Sequence, residues 1–212
     1  MLLLISTSKL YPISPGKVIS LNEKGTRFTS LYVDITKTEL QNKYKLSMNP
    51  TLIDWGIGIT DNVFVRLGAG LSEINVDNGF NGSIGFFYLL GLRWNFLSLD
   101  NNIQLSLSAD ATKGGTKGFG LINGVVVDDS EWVQWQTSLI AHRTFYDKLT
   151  FYGGGKYSQA DLRLEGLQET DPKHNFGGFL GVELAITKTW VLNGELRIGD
   201  ENVFSFGLAT KY

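Results

Sequence analysis

The last ten residues, Val203 to Tyr212 (VFSFGLATKY), constrain the fold more than any other stretch. Phe204, Phe206, Leu208, Thr210 and Tyr212 fall on one side of an alternating pattern, and Val203, Ser205, Gly207, Ala209 and Lys211 on the other. A period of two is the side-chain period of a β-strand. One face is aromatic and apolar; the other is small or charged. In a barrel dissolved in lipid the apolar face points outward and the polar face lines the lumen, whereas a water-soluble barrel reverses the two. The direction of the apolar faces elsewhere in the chain therefore decides the class of protein.

The chain has 212 residues, 25 of them Gly and only four Pro, which suits one large β-domain with many turns. It contains no Cys, so a disulfide framework, a thiol nucleophile and a thiolate metal site are excluded. The formal charge of −2, without a basic patch, gives no reason to expect nucleic acid as a partner. No run of about 18 apolar residues occurs, so no spanning helix is expected. A spanning strand needs only about 9–11 residues. The opening MLLLISTSKLYPISPGKV has a short apolar run with no preceding positive charge, unlike a secretory signal. Residues 1–25 are read as a leader remnant, a periplasmic arm or a segment entering the lumen, and 26–212 as the barrel.

Turn clusters rich in Asp, Asn and Gly divide the chain, as hairpins require. Short ones lie at Thr60 to Asn62, Ser98 to Asn102, Tyr146 to Lys148 and Thr187 to Thr189. Longer ones lie at Thr38 to Lys45, Val76 to Gly82, Lys113 to Ser130 and Gly166 to Asn175, and a tight one at Gly199 to Asn202. About ten alternating runs separate them: 26–37, 46–59, 63–75, 83–97, 102–112, 131–145, 149–164, 176–186, 190–198 and 203–212. Long and short connections take turns, as in barrels with short periplasmic turns and longer outer loops. With an even strand count both termini lie on the short-turn side.

The faces agree between strands. In 83–97, Ile84, Phe86, Tyr88, Leu90, Leu92, Trp94 and Phe96 oppose Gly85, Phe87, Leu89, Gly91, Arg93 and Asn95. In 102–111, Ile103, Leu105, Leu107, Ala109 and Ala111 oppose Gln104, Ser106, Ser108 and Asp110. Each polar face carries small residues and one or two charges: Asp34, Asp54, Arg66, Arg93, Asp110, Lys156, Glu183, Glu195, Arg197 and Lys211, with His142. A water-exposed face would hold more Lys and Glu and less Gly and Ser. A lumen suits this set, because small residues leave room and opposite charges pair; unpaired, each would carry a large desolvation cost. Aromatics near strand ends (Trp55, Trp94, Phe96, Trp135, Phe145, Tyr146, Trp190, Tyr212) match interfacial girdles.

Three segments resemble the small outer-membrane β-barrel proteins of bacteria, in the broad OmpA/OmpW-like sense: the closing GDENVFSFGLATKY, the turn-bearing GITDNVFVRLGAGLS, and the Gly-rich YGGGKYS and FGGFLGVELAIT. The resemblance spans about 26–212. Thr210 departs from it, since a larger apolar residue is usual there, and about ten strands exceed the eight of the simplest members. It implies insertion by the barrel-assembly machinery and names no activity.

Candidate chemistry is sparse. His142 lies on the polar face near a short turn, as a hydrogen-bonded lumen residue. His174, with Asp128 or Asp129, would supply a histidine and carboxylates at the rim, a set that activates water in ten-stranded outer-membrane proteases. These residues match no motif. Asp77, Asn78 and Gly79 offer oxygen ligands for Ca²⁺, and turns of this kind more often hold nothing. Gly114 to Gly120 lacks the Gly-Lys-Ser/Thr and helix start of a phosphate loop.

The expectation is an all-β, closed, antiparallel up-and-down transmembrane barrel of about ten strands, with eight as the simpler count, in a bacterial outer membrane. Its lumen is charge-balanced and plugged, and its outer loops form an interaction surface. Val203–Tyr212 closes it against the strand near 26–37, with Phe204, Phe206, Leu208 and Tyr212 toward lipid. The alternatives are a narrow channel for small solutes or ions and, further off, a rim hydrolase; a soluble ligand-binding barrel comes last. Neither enzyme activity, cofactor nor metal is expected. The partners expected are outer-membrane lipid, the assembly machinery and an extracellular or envelope protein met through the loops.

Overall fold

A strand with one apolar face and one polar face is stable only where both faces and both edges find partners. The chain solves this by closing on itself. The computed structural model describes residues 24–39, 45–48, 50–76, 80–99, 103–122, 125–164, 173–199 and 202–212. They form one antiparallel, up-and-down barrel of ten strands without a helix. We number these β1 Arg27–Glu39, β2 Lys45–Met48 continued by Thr51–Gly58, β3 Val63–Ser72 continued by Ile74–Val76, and β4 Phe80–Gly82 continued by Gly85–Leu99. There follow β5 Ile103–Ile122, β6 Val125–Phe145, β7 Leu149–Leu164, β8 Lys173–Ala185, β9 Trp190–Ile198 and β10 Asn202–Lys211.

Each strand pairs with its neighbours in sequence, and the last pairs with the first. The seam runs in unbroken register from Phe28 opposite Lys211 to Lys37 opposite Asn202. It places the C-terminal strand against β1. The short connections and both described chain ends lie at one rim. There Tyr146 and Asp147 both take positive φ (51° and 55°), and the Lys148 amide donates to the Phe145 carbonyl at 3.1 Å. Two consecutive left-handed residues make the tight hairpin whose twist matches its strands.

Polarity is inverted relative to a soluble protein. Phe86, Leu180 and Phe204 stand 67%, 66% and 52% exposed, while Asp54, Glu183 and Arg197 are 0%, 1% and 0% exposed. On β10 the pattern is strict: Phe204, Phe206, Leu208 and Tyr212 point outward, and Val203, Ser205 and Ala209 are buried.

One stretch departs from the pattern read in the sequence. Lys113 to Ser130, read there as the longest loop, is strand on both sides of residues 123–124, and the β5–β6 hairpin extends well beyond the rest of the sheet at the rim opposite the short turns. Pairing runs from Gly114 opposite Trp132 to Ile122 opposite Val125, with one irregularity between Lys117 and Gly120. Glycines lower the local strand signal, but cross-strand partners on β6 and the Phe80–Gly82 segment of β4 supply the ladder. The polar stretches at 38–45, 76–82 and 166–175 are likewise shortened by strand, and their centres lie outside the described residues, as do 1–23.

The seam also shows why small residues face inward. Tyr32 stands opposite Gly207, and a Cβ at Gly207 would lie 2.1 Å from the Tyr32 ring. Gly207→Val should therefore lower the stability of the refolded barrel by about 1–3 kcal/mol, the usual cost of overpacking. The readout is an earlier urea midpoint by tryptophan fluorescence, with Gly194→Val, whose Cβ would meet only Val182 Cγ1 at an ordinary 3.9 Å, as the neutral comparison.

Candidate functional site

The lumen is the part of this molecule with chemistry, and its geometry follows from register. Arg66 on β3, Gly91 on β4, Asp110 on β5 and Gln136 on β6 lie on one rung. Gly91 has no side chain, and a Cβ there would stand 2.3 Å from Asp110 Oδ1 and 2.6 Å from Arg66 Nε. Arg66 therefore crosses over β4 and reaches the next strand but one. Its Nη2 and Nε donate to Asp110 Oδ1 at 2.6 and 3.0 Å, and Nη1 donates to Asp54 Oδ2 at 3.5 Å. Gln136 Nε2 donates to Asp110 Oδ2 at 3.3 Å.

A second cluster lies across the seam. Arg197 on β9 donates through Nη2 to Asp34 Oδ2 at 3.2 Å and to Ser205 Oγ at 2.5 Å, and its Nε stands 3.2 Å from Glu195 Oε1. Arg93 lies in the field of Arg66, Glu183 and Asp110, between the two clusters. Lys156 is buried on β7 at 3% exposure. The structure thus brings Asp34, Glu195 and Arg197 together, and Asp54, Arg66 and Asp110 together, with Arg93 in the field of Arg66, Glu183 and Asp110. His142 is buried near the short-turn rim, and neither ring nitrogen has a hydrogen-bond partner among the described residues.

Of the aromatic side chains inside the barrel, only Phe87 stands on an inner face in the sequence reading; the others are found by the structure. Phe28, Tyr32 and Phe64 cluster with Val191 and Ala209. Tyr152, Phe179 and Ile140 form another group. Higher up, Phe87 and Trp132 stack with ring centroids 5.8 Å apart. The signal that would have found them is an aromatic opposite a glycine: Phe28 faces Gly56, Tyr32 faces Gly207 and Tyr152 faces Gly181. The Tyr152 ring crosses Gly181, and its hydroxyl accepts from Asn193 Nδ2 at 2.8 Å on the strand beyond. Rings and ion pairs fill the interior. Beside Arg66, Arg93, Ser108 and Asp110 the cavity is about 20 Å³, close to one water molecule.

Outside, aromatics form two levels. Trp135, Tyr157 and Phe176 stack across three strands at 5.5 and 4.9 Å. Phe145 and Phe151 meet edge to face at 5.9 Å near the short-turn rim, under the Arg143 guanidinium. Trp135 and Phe145 are ten residues apart on β6, which at the usual strand rise and tilt is about 26 Å of height. An apolar band of about 25 Å between aromatic girdles is what a bilayer requires.

The rim carboxylates are not brought to His174. His174 pairs with Gln159, which pairs with Trp135, so it is level with Trp135 and two strands from β6. Asp129 lies six residues further along β6, opposite Lys117, about 20 Å of strand away. Asp77 to Gly79 lie outside the described residues.

Inverted polarity, closure and paired girdles define the fold as that of outer-membrane β-barrels. Solved structures agree on the fold. An outer-membrane channel from Pseudomonas putida F1 is similar over 95% of this chain and all of that one, with a TM-score of 0.58 and 10% identity. The beta domain of the Bordetella autotransporter BrkA matches over 90% and 99% of the two chains, with a TM-score of 0.56 and 11% identity. The translocator domain of the autotransporter NalP from Neisseria meningitidis matches over 91% and 89%, with a TM-score of 0.54 and 10% identity. No protein-family model matches the sequence, and no curated protein is similar to it in sequence.

Removing one partner of a buried pair strands the others. Arg197→Met leaves Asp34 and Glu195 without their guanidinium and should destabilise the barrel by about 3–5 kcal/mol. Lys113→Ala, which removes the exposed partner of Glu131, should change stability by less than about 1 kcal/mol. Urea titrations of the two variants check the contrast.

Proposed function

We propose that this chain is an integral protein of a bacterial outer membrane, with a plugged, cross-linked barrel serving as a rigid base for an outer interaction surface. The observation that carries this reading is the interior. Two ion-pair clusters and several aromatic rings occupy the space an open pore would need, and glycines opposite Arg66, Phe28, Tyr32 and Tyr152 admit those side chains. Such a network holds shape and leaves no path for a hydrated ion. No catalysis, cofactor or metal belongs to the reading, and the rim hydrolase loses support from the separation of His174 and Asp129 along the sheet.

The interaction surface is the β5–β6 hairpin. Above the level of the upper girdle it carries an ion pair, Lys113 with Glu131 at 2.5 Å, and beyond that an outward apolar patch of Phe119, Leu121 and Val126, 70%, 57% and 51% exposed. An apolar patch held clear of the band by charges supports contact with an extracellular or envelope protein. Lipid covers the band below it, and the barrel-assembly machinery is the expected partner during insertion. Kinship with the small OmpA/OmpW-like barrels belongs to the same reading, supported by the closing strand and the short Thr-Asp-Asn turn. A narrow channel for small solutes or ions is the second reading, favoured by the polar lining.

Two measurements test the proposal. Refolded protein should run at different apparent sizes on a detergent gel before and after boiling. Leu90→Arg, at mid-height on the outer face, should weaken folding into vesicles by about 2–4 kcal/mol. In planar bilayers the folded protein should show no discrete conductance steps; well-resolved steps would favour the channel instead.

A further inference from the structure

One wall of the lumen is polar from the short-turn rim up to the Phe87–Trp132 stack. On β5 and β6 the inward-facing cross-strand pairs are Gln104 with His142, Ser106 with Ile140, Ser108 with Ser138, Asp110 with Gln136, and Thr112 with Gln134. Every rung offers at least one hydrogen-bonding side chain. The opposite wall is different, because Phe28, Tyr32, Leu52 and Phe64 project from β1, β2 and β3.

Buried polar atoms without a hydrogen bond among the described residues occur on β1 and β9 too (Ser30 Oγ, Asp34 Oδ1, Asn193 Oδ1), but on the polar wall they follow one another along the strands. Ser108 Oγ, Ser138 Oγ, Thr112 Oγ1, Gln134 Oε1 and both ring nitrogens of His142 have no hydrogen bond among the described residues, and all six atoms belong to residues at most 4% exposed. Leaving such an atom bare costs about 1–3 kcal/mol, so buried polar groups of this kind are met by water. Successive inward residues on a strand are about 6.8 Å apart, a gap that a file of two hydrogen-bonded waters spans. The rungs from Gln104 to Thr112 cover about 27 Å of strand, or about 20 Å of height at the usual tilt. The cavity beside Ser108, Asp110, Arg66 and Arg93, with Phe28 and Phe64 on its other side, is about 20 Å³, room for a water molecule.

We propose that the β5–β6 wall is a single-file water track, and that the barrel passes water while remaining closed to ions. The Ser108–Ser138 and Thr112–Gln134 rungs hand water past the Asp110–Gln136 rung. There Arg66, held on Asp110, closes the cross-section to a hydrated ion. The barrel is then an osmotic leak across the membrane as well as a rigid base. This inference rests on the membrane-barrel reading.

The test uses full-length protein refolded into vesicles of phosphatidylcholine and phosphatidylglycerol, with folding confirmed by the gel shift on boiling. Osmotic shrinkage is followed by stopped-flow light scattering, and ion conductance is recorded in planar bilayers of the same lipids. Water permeability several-fold above that of protein-free vesicles, without conductance steps, is the expected result. Ser108→Val with Ser138→Val fills the track with methyl groups and should return permeability to the protein-free rate while the gel shift is kept. Gel-shifting protein that shrinks vesicles no faster than lipid alone overturns the track and leaves the plugged barrel standing. Unchanged permeability in a folded double variant overturns its placement on this wall, and conductance steps overturn its ion tightness. Protein that shows no gel shift removes the membrane reading and the track with it.

Discussion

Every feature of this structure depends on closure between β1 and β10. An open sheet in a medium without water would expose two rows of backbone donors and acceptors, each costing several kcal/mol. The unbroken register from Phe28 opposite Lys211 to Lys37 opposite Asn202 removes both edges at once. Closure also creates an inside. Once the sheet curls, the polar faces of all ten strands converge on a narrow lumen, and charges from strands far apart in sequence, such as Asp34 and Arg197, come within hydrogen-bonding distance.

Inside, glycine sets the reach of the long side chains. Neighbouring strands are about 4.8 Å apart, and a side chain on the strand between normally blocks contact with the strand beyond. Gly91 opens the way from Arg66 to Asp110, and Gly181 opens it from Tyr152 to Asn193. The same arrangement recurs at Tyr32 and Phe28, which face Gly207 and Gly56. It explains how a lumen with many small residues can still be full. Small residues on one strand are the space occupied by large residues on the next.

The candidate site was partly legible in the sequence. The charged residues of the polar faces could be named from alternation, because each sits at an odd or even position within its run. Their pairing could not. Nothing in the sequence distinguishes Arg66 with Asp110 from Arg66 with Glu183, since the choice depends on which rungs coincide. The interior aromatics are hidden for another reason: Phe28, Phe64 and Trp132 share the parity of Asp34, Arg66 and Gln136, so alternation turns them inward, but only the glycines that register sets opposite them (Gly56, Gly58 and Gly114) make room for rings there. The β5–β6 hairpin was read as loop because Gly114, Gly115, Gly118 and Gly120 weaken the strand signal, whereas the ladder to β6 and the upper part of β4 holds it as strand.

The sequence by itself determined the period, the polarity of each face and the closing strand, because alternation is a local property set by the backbone and read over a few residues. These suffice for a closed barrel with its apolar side outward. Only the tertiary structure decided which charges meet, where rings fill the lumen, how far the β5–β6 hairpin rises and which wall keeps unpartnered hydroxyls. Those depend on register between strands. A shift of one residue exchanges inside for outside, and a shift of two preserves the faces while changing every partner. Register is fixed by the sum of contacts around the whole barrel, not by any one strand.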